Sequence, residues 1–191
     1  MLEKLEATLL GVSPLLMNNG RGADPTDELT RQLKPLTIKK PKTDEVLSEI
    51  RRLEWARSLY LDADGRLAIP ADNILAAVIE GARKSKLGKD AEAGVFDSEP
   101  FYQIHHEGPK DLDRLYVTPG FCDYRGVVVA RRRTMRARAR VPAGWRLPIA
   151  LMVNTEIIEV RAVVAALEAA GERIGLGDYR PRFGRFTVEI A

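Results

Sequence analysis

From Arg136 to Val141 the chain reads Arg136-Ala137-Arg138-Ala139-Arg140-Val141, arginine alternating with small apolar residues. A period of two is the period of a β-strand, whose successive side chains point to opposite faces. The strand puts Arg136, Arg138 and Arg140 in one row, about 6.6 Å apart at two residues of extended rise, and turns Ala137, Ala139 and Val141 toward a core. Arg131, Arg132 and Arg133 lead into it. Like charges in a row repel, and a linear anion such as a phosphate backbone relieves the repulsion. Two other readings stay open: a solvated edge strand whose charges guard against aggregation, and a surface for acidic protein partners.

The case for an anionic partner rests on where charge sits, because the formal net charge of the 191 residues is only +3. Between Phe121 and Ala150 eight arginines (125, 131, 132, 133, 136, 138, 140 and 146) face one acid, Asp123. The length suits one domain, 1–191, with one well-buried core. Cys122 is the single cysteine, which excludes an internal disulfide framework and a cysteine-rich zinc site and suits a reducing cytoplasm. No stretch approaches a transmembrane helix, and Glu3 and Lys4 interrupt any signal-peptide core. No partner membrane is expected.

Along the chain, the alternation from Leu5 to Val12 predicts a first strand, ended by Ser13-Pro14. Residues 18–68 read as an inserted helix and hairpin region. Pro35 and Pro41 break its early part, Thr43 caps a helix with Leu47, Ile50, Leu53 and Leu59 near helical spacing, and Asp64-Gly65 marks a tight turn. Pro70-Ala71-Asp72 opens a second helix, with Asp72 as cap and Ile74, Leu75, Val78, Ile79 and Ala82 as its buried stripe. A basic tail, Lys84, Lys86 and Lys89, ends it; a solvated face is the default for such lysines. Residues 88–126 lack periodicity and read as a projecting loop insertion. After the arginine strand, Val141-Pro142-Ala143-Gly144 supplies a turn, and Trp145, Leu147, Ile149, Leu151 and Val153 alternate as the partner strand, with Pro148 an obstacle inside it. A helix from about Thr155 to Arg173 and a strand at Phe186, Val188 and Ile190 complete the order.

Reduced to its core, the order is strand, helix, strand, strand, helix, strand. It predicts an α+β fold of ferredoxin-like (RRM-type) βαββαβ plan, an antiparallel sheet with helices on one face, the arginine strand second among its strands. Insertions precede the first core helix and separate it from strand two.

Between the last helix and last strand lies Gly175-Leu176-Gly177-Asp178-Tyr179-Arg180-Pro181-Arg182-Phe183-Gly184-Arg185. Its glycines permit positive φ and close approach of backbone amides to a phosphate, Arg180, Arg182 and Arg185 supply charge, and Tyr179 and Phe183 offer rings to stack on bases. The competing reading is helix capping plus strand entry. His105-His106-Glu107 is the one histidine cluster and the one sequence-level case for catalysis, but adjacent residues of an extended segment point oppositely, and no partner group completes a metal site.

The glycine-rich segment at its place before the last strand, Ile69-Pro70-Ala71-Asp72-Asn73-Ile74-Leu75 opening a helix, and Ser13-Pro14-Leu15-Leu16-Met17 after strand one resemble the RAMP superfamily of CRISPR-associated proteins. The set of phrases looks like that of short phage or prophage relatives of CRISPR effector backbone subunits, although the chain is much shorter than those subunits. The resemblance implies a glycine-rich loop that touches RNA. The expectation is a non-enzymatic, sequence-tolerant binder of single-stranded nucleic acid, DNA favoured over RNA, coating the strand as a homo-oligomer or filament in the bacterial or host cytoplasm, with no cofactor and no metal. Its contacts are Arg131, Arg132, Arg133, Arg136, Arg138, Arg140, Tyr179, Arg180, Arg182, Phe183, Arg185, Lys84, Lys86 and Lys89. The alternatives are a guide-RNA-holding backbone subunit, a RAMP-like endoribonuclease using His105 or His106, and an oligomer interface along the arginine strand.

Overall fold

A computed structural model describes residues 1–129 and 131–190. Its strands are β1 (Leu2–Gly11), β2 (Leu15–Leu16), β3 (Ala68–Pro70), β4 (Val95–Asp97), β5 (Phe101–Gln103), β6 (Cys122–Val129), β7 (Arg132–Val141), β8 (Arg146–Asn154) and β9 (Phe186–Ile190). The helices are α1 (Glu28–Ile38), α2 (Asp44–Ser58), α3 (Ala71–Ala82), α4 (Gly88–Gly94), α5 (Leu112–Val117) and α6 (Val160–Arg173). The chain packs as two compact units. The first gathers Met1–Leu15, Leu61–Glu107 and Pro142–Ala191, the second Leu16–Tyr60 and Gly108–Val141.

Unit one is built on a four-stranded antiparallel sheet in the order β4-β8-β1-β9. Its long strands alternate as the sequence requires: Leu5, Ala7 and Leu9 of β1 and Leu147, Ile149, Leu151 and Val153 of β8 are buried, and the residues between them face outward. Pro148, opposite Thr8 of β1, lies between the short reach of β4 on Leu151–Val153 and the isolated bridge from His105 to Arg146. It therefore occupies the edge-like position that a strand proline requires. Helices α3 and α6 pack on each other, α3 also meeting β4 and α6 meeting β9. The buried stripe of α3 includes Ile74, Val78 and Ala82 as the periodicity predicts, but the helix caps at Pro70 without a side-chain bond, leaving Asp72 in its first turn.

Unit two holds the arginine strand, and this corrects its expected partner. β7 lies between β2 and β6 in a three-stranded sheet, and its antiparallel register with β6 runs from Cys122↔Ala139 to Val129↔Arg132. It does not pair with β8, whose edges are taken by β1 and β4. After Val141 the chain instead turns toward β1: Gly144 N–H donates to Gly11 O at 2.8 Å, and Gly11 N–H to Trp145 O at 2.7 Å. In unit one the strand beside β8, opposite β1, is the three-residue β4. The stretch 88–126, read as a projecting loop, carries α4, β4, β5, α5 and the start of β6, and 18–68 carries α1 and α2. Helix α1 runs through Pro35.

The closest approach of helices α3 and α6 depends on Gly81, where an added Cβ would stand 2.0 Å from Ala166 O. Gly81→Ala should therefore lower the unfolding free energy by about 1–3 kcal/mol through overpacking, outweighing the gain of about 1 kcal/mol that alanine brings to a helix. A urea titration that shows Gly81→Ala as stable as the parent would contradict this packing.

Candidate functional site

The arginine row is set by the helix beside it. Thr43 caps α2, its hydroxyl accepting Val46 N–H at 3.5 Å. The buried face matches the expected stripe only in part: Leu59, just past the helix, is buried and Leu47 is exposed, whereas Val46 and Trp55 are buried together with Glu54 and Ser58. Glu54 and Ser58 lie one helical turn apart, about 6 Å of rise, close to the spacing of alternate residues in a strand. Their oxygens accept the backbone N–H groups of Ala137, at 2.9 Å, and Ala139, at 2.7 Å. Met17 N–H adds a bond to Ala139 O at 2.9 Å. The other Glu54 oxygen receives Arg136 Nη1.

The alternation within β7 is as the sequence requires, with Ala137, Ala139 and Val141 buried and the arginines between them half-buried. The arginines nevertheless differ. Arg136 neutralises a carboxylate that is 3 % exposed, and Arg140 Nη1 donates to Gly120 O at 2.8 Å. Arg132 and Arg133, read as a lead into the row, belong to the strand, and they and Arg131 are exposed. Arg138 lines a pocket of about 300 Å3 together with Arg136, Arg57, Glu54 and Asn18. Burial holds the Arg57 guanidinium below its usual value, Arg136 adding to this while Glu54 and Asp27 oppose it. Arg57, Glu54 and Ser58 escape a sequence reading because that reading seeks an apolar stripe on α2, and Asn18 because it lies in the loop after β2.

Elsewhere in unit two, Trp55 is a packing residue whose indole N–H donates to Phe121 O at 2.8 Å and whose ring meets Tyr116 at 5.3 Å. Arg51 lies over the ring of Tyr124 at 4.0 Å. Cys122 is half-buried, and burial pushes its thiol up, with Arg51 opposing and Asp123 adding, so no reactive thiolate is prepared there.

Unit one carries the glycine-rich segment and the basic tail. Gly175, Gly177 and Gly184 have φ of 79°, 73° and 72°. Two of their amides serve the fold: Gly175 N–H donates to Ala170 O at 2.7 Å, ending α6, and Gly184 N–H to Pro14 O at 2.8 Å. Capping and strand entry therefore account for these two glycines. Phe183, expected to stack on bases, is 7 % exposed and belongs to the core. Its neighbours Tyr179, Arg180, Arg182 and Arg185 are exposed, and Arg180 stands 3.7 Å from Glu80 of α3. Lys84, Lys86 and Lys89, which follow α3, are exposed too. Trp145 packs against Phe186, its indole N–H donating to Ser13 O at 2.9 Å.

His105 is fixed by two backbone bonds to Arg146, at 2.8 and 3.0 Å. Burial holds the His106 imidazole below its usual range, His105 adding to this and Glu107 opposing. Among the described residues no group of His, Cys, Asp or Glu is placed to hold a metal ion, and no helix is long and apolar enough to cross a membrane.

No protein-family model matches the chain, and no curated protein matches it either. Among solved structures, it is similar to a chain in the cryo-EM structure of a type III-B Cmr-β bound to cognate target RNA. The TM-score is 0.52 at 12% sequence identity, and the match covers 100% of this chain. The chain spans 58% of the length of that one. The likeness is one of fold.

Two outcomes follow from this geometry. Glu54→Ala removes the partner of Arg136 and orphans Ala137 N–H; with Arg136 partly solvated, the expected loss is about 2–4 kcal/mol, read by denaturant unfolding. His106 is favoured neutral in the folded protein, so its contribution to stability is complete above about pH 6.5 and declines as pH falls through its lower folded value. The difference in stability between pH 7.5 and 5.5 should shrink in His106→Gln, measured by the same unfolding titration.

Proposed function

We propose that this chain is a non-enzymatic binder of single-stranded nucleic acid, RAMP-like in architecture. The strand order β4-β8-β1-β9, with α3 and α6 in the two helical positions, supports reading unit one as ferredoxin-like. The observation that carries the function is the cationic side of β7. Its small residues are buried, and Arg131, Arg132 and Arg133 stand exposed at the start of the strand. Phosphates satisfy such a surface without sequence selection. The fold likeness to a chain of an RNA-bound complex supports the same class of ligand. It makes single-stranded RNA the first ligand to test, with single-stranded DNA, the sequence-based preference, as the second.

The exposed side chains of unit one, Tyr179, Arg180, Arg182, Arg185, Lys84, Lys86 and Lys89, are a second contact surface in this reading. Side-by-side assembly of copies along the strand completes it. A guide-RNA-holding role differs in one readout, copurification with a discrete RNA. This reading assigns His105 and His106 no chemical role; His105 is held by a backbone bridge to Arg146 and His106 is half-buried.

With four to six phosphates neutralised, log affinity for a labelled single strand should fall against log salt with a slope of about −3 to −4. Replacing Arg131, Arg132 and Arg133 together by alanine should flatten that slope by about 2 and weaken unrelated sequences equally. Affinity indifferent to salt, or preference for duplex, would sink the proposal.

A further inference from the structure

The pocket of about 300 Å3 in unit two is lined by three guanidinium groups, Arg57, Arg136 and Arg138, against one carboxylate, Glu54. Glu54 is committed to Arg136 and to Ala137 N–H. Arg57 is the group left over. It is half-buried on α2, one turn from Glu54, and among the described residues its hydrogen bond is to Thr30 Oγ1, at the long distance of 3.5 Å. A guanidinium has five N–H donors in a rigid fork and does not lose its proton at physiological pH. Taking it out of water without a matching acceptor is costly, and an anion offers the cheapest remedy. The other carboxylate that acts on it, Asp27, is engaged by Arg21 at 2.7 Å and by Thr30 N–H at 3.0 Å. Gly22 fits the rest: a Cβ there would stand 3.2 Å from the central carbon of the Arg57 guanidinium. The loop thus fixes one side of Arg57 and leaves the pocket on another.

We infer that this pocket is a phosphate site, with Arg57 as its principal donor beside Arg138, and that it takes one phosphate of the bound single strand. The assignment to a strand rests on the proposed function; the phosphate chemistry does not. Its place among Glu54, Ser58 and Ala137 also differs from that of the exposed arginines at the start of β7. Those meet phosphates from water, whereas this site holds one in a partly desolvated pocket, so its contribution is less sensitive to salt.

The test uses the whole chain and two probes, inorganic phosphate and a labelled single-stranded oligonucleotide, with Arg57→Ala, Arg57→Lys and Gly22→Val. Titration calorimetry should show inorganic phosphate bound by the parent, with affinity falling about ten- to hundredfold in Arg57→Ala, the usual loss for a charge-assisted hydrogen bond. Arg57→Lys should fall between, having charge but no fork, and it decides the matter if Arg57→Ala does not fold. Gly22→Val, which keeps every charge, should weaken phosphate by displacing the guanidinium. Phosphate affinity unchanged in folded Arg57→Ala or Arg57→Lys overturns the site, even if the strand still binds through other arginines. Arg57-dependent phosphate binding with no strand binding keeps the site and overturns both the proposed function and the assignment to a strand. A strand bound no more tightly than inorganic phosphate supports the site for free phosphate and overturns its assignment to nucleic acid.

Discussion

The architecture of unit two depends on one carboxylate. A strand edge in a protein interior needs a partner for each N–H, and the usual partner is another strand. At Ala137 and Ala139 the partners are side chains of a helix, Glu54 and Ser58. The match works because one turn of α2 advances almost as far as two residues of β7. A buried carboxylate needs a counter-charge, and Arg136 supplies it. That pairing fixes where α2 lies on β7, and therefore which residues of α2 reach the pocket: Arg57, between Glu54 and Ser58 on the same side of the helix, lines it with them. The charge that looks like a ligand-binding feature in the sequence is, at Arg136, also part of how the unit holds together.

Unit one obeys a simpler constraint. Alternation in β1 and β8 fills one side of the sheet with Leu, Ile and Val and leaves the other side to intermediate and exposed residues. Such a pattern constrains the kind of side chain, and seldom its identity. Two chains can therefore be alike in fold while differing at most positions, as this one and the Cmr-β chain are at 12% identity. The places that tolerate no variation are close backbone approaches, as at Gly184, where an added Cβ would meet Leu176 O at 1.8 Å.

What the sequence made legible followed from period and turn chemistry. The strands at Leu2–Gly11, Arg132–Val141, Arg146–Asn154 and Phe186–Ile190, the cap at Thr43 and the stripe on α3 were all readable. Pairing was not. Pro142-Ala143-Gly144 says that the chain turns after Val141, and cannot say that β7 and β8 go to different sheets. β6 was hidden because the residues it buries include Asp123, ion-paired to Arg125, which breaks the apolar pattern. β4, at three residues, is too short to show any period. In the candidate site, the alternation of Arg136, Arg138 and Arg140 was legible, but Arg57 and Glu54 lay on the polar part of a helix, where only the structure shows that a strand covers them. Phe183 misled because an aromatic between arginines looks the same in sequence whether it faces solvent or core.

Each unit is assembled from separated stretches of chain, and this sets an order in time during translation. Every element of unit two has been made once Val141 is added. At that moment β1 still has neither of its neighbours, because β8 and β9 are encoded downstream. The nascent chain thus carries a complete smaller unit and, upstream of it, a long strand with both edges open, the condition in which a growing polypeptide most needs a chaperone.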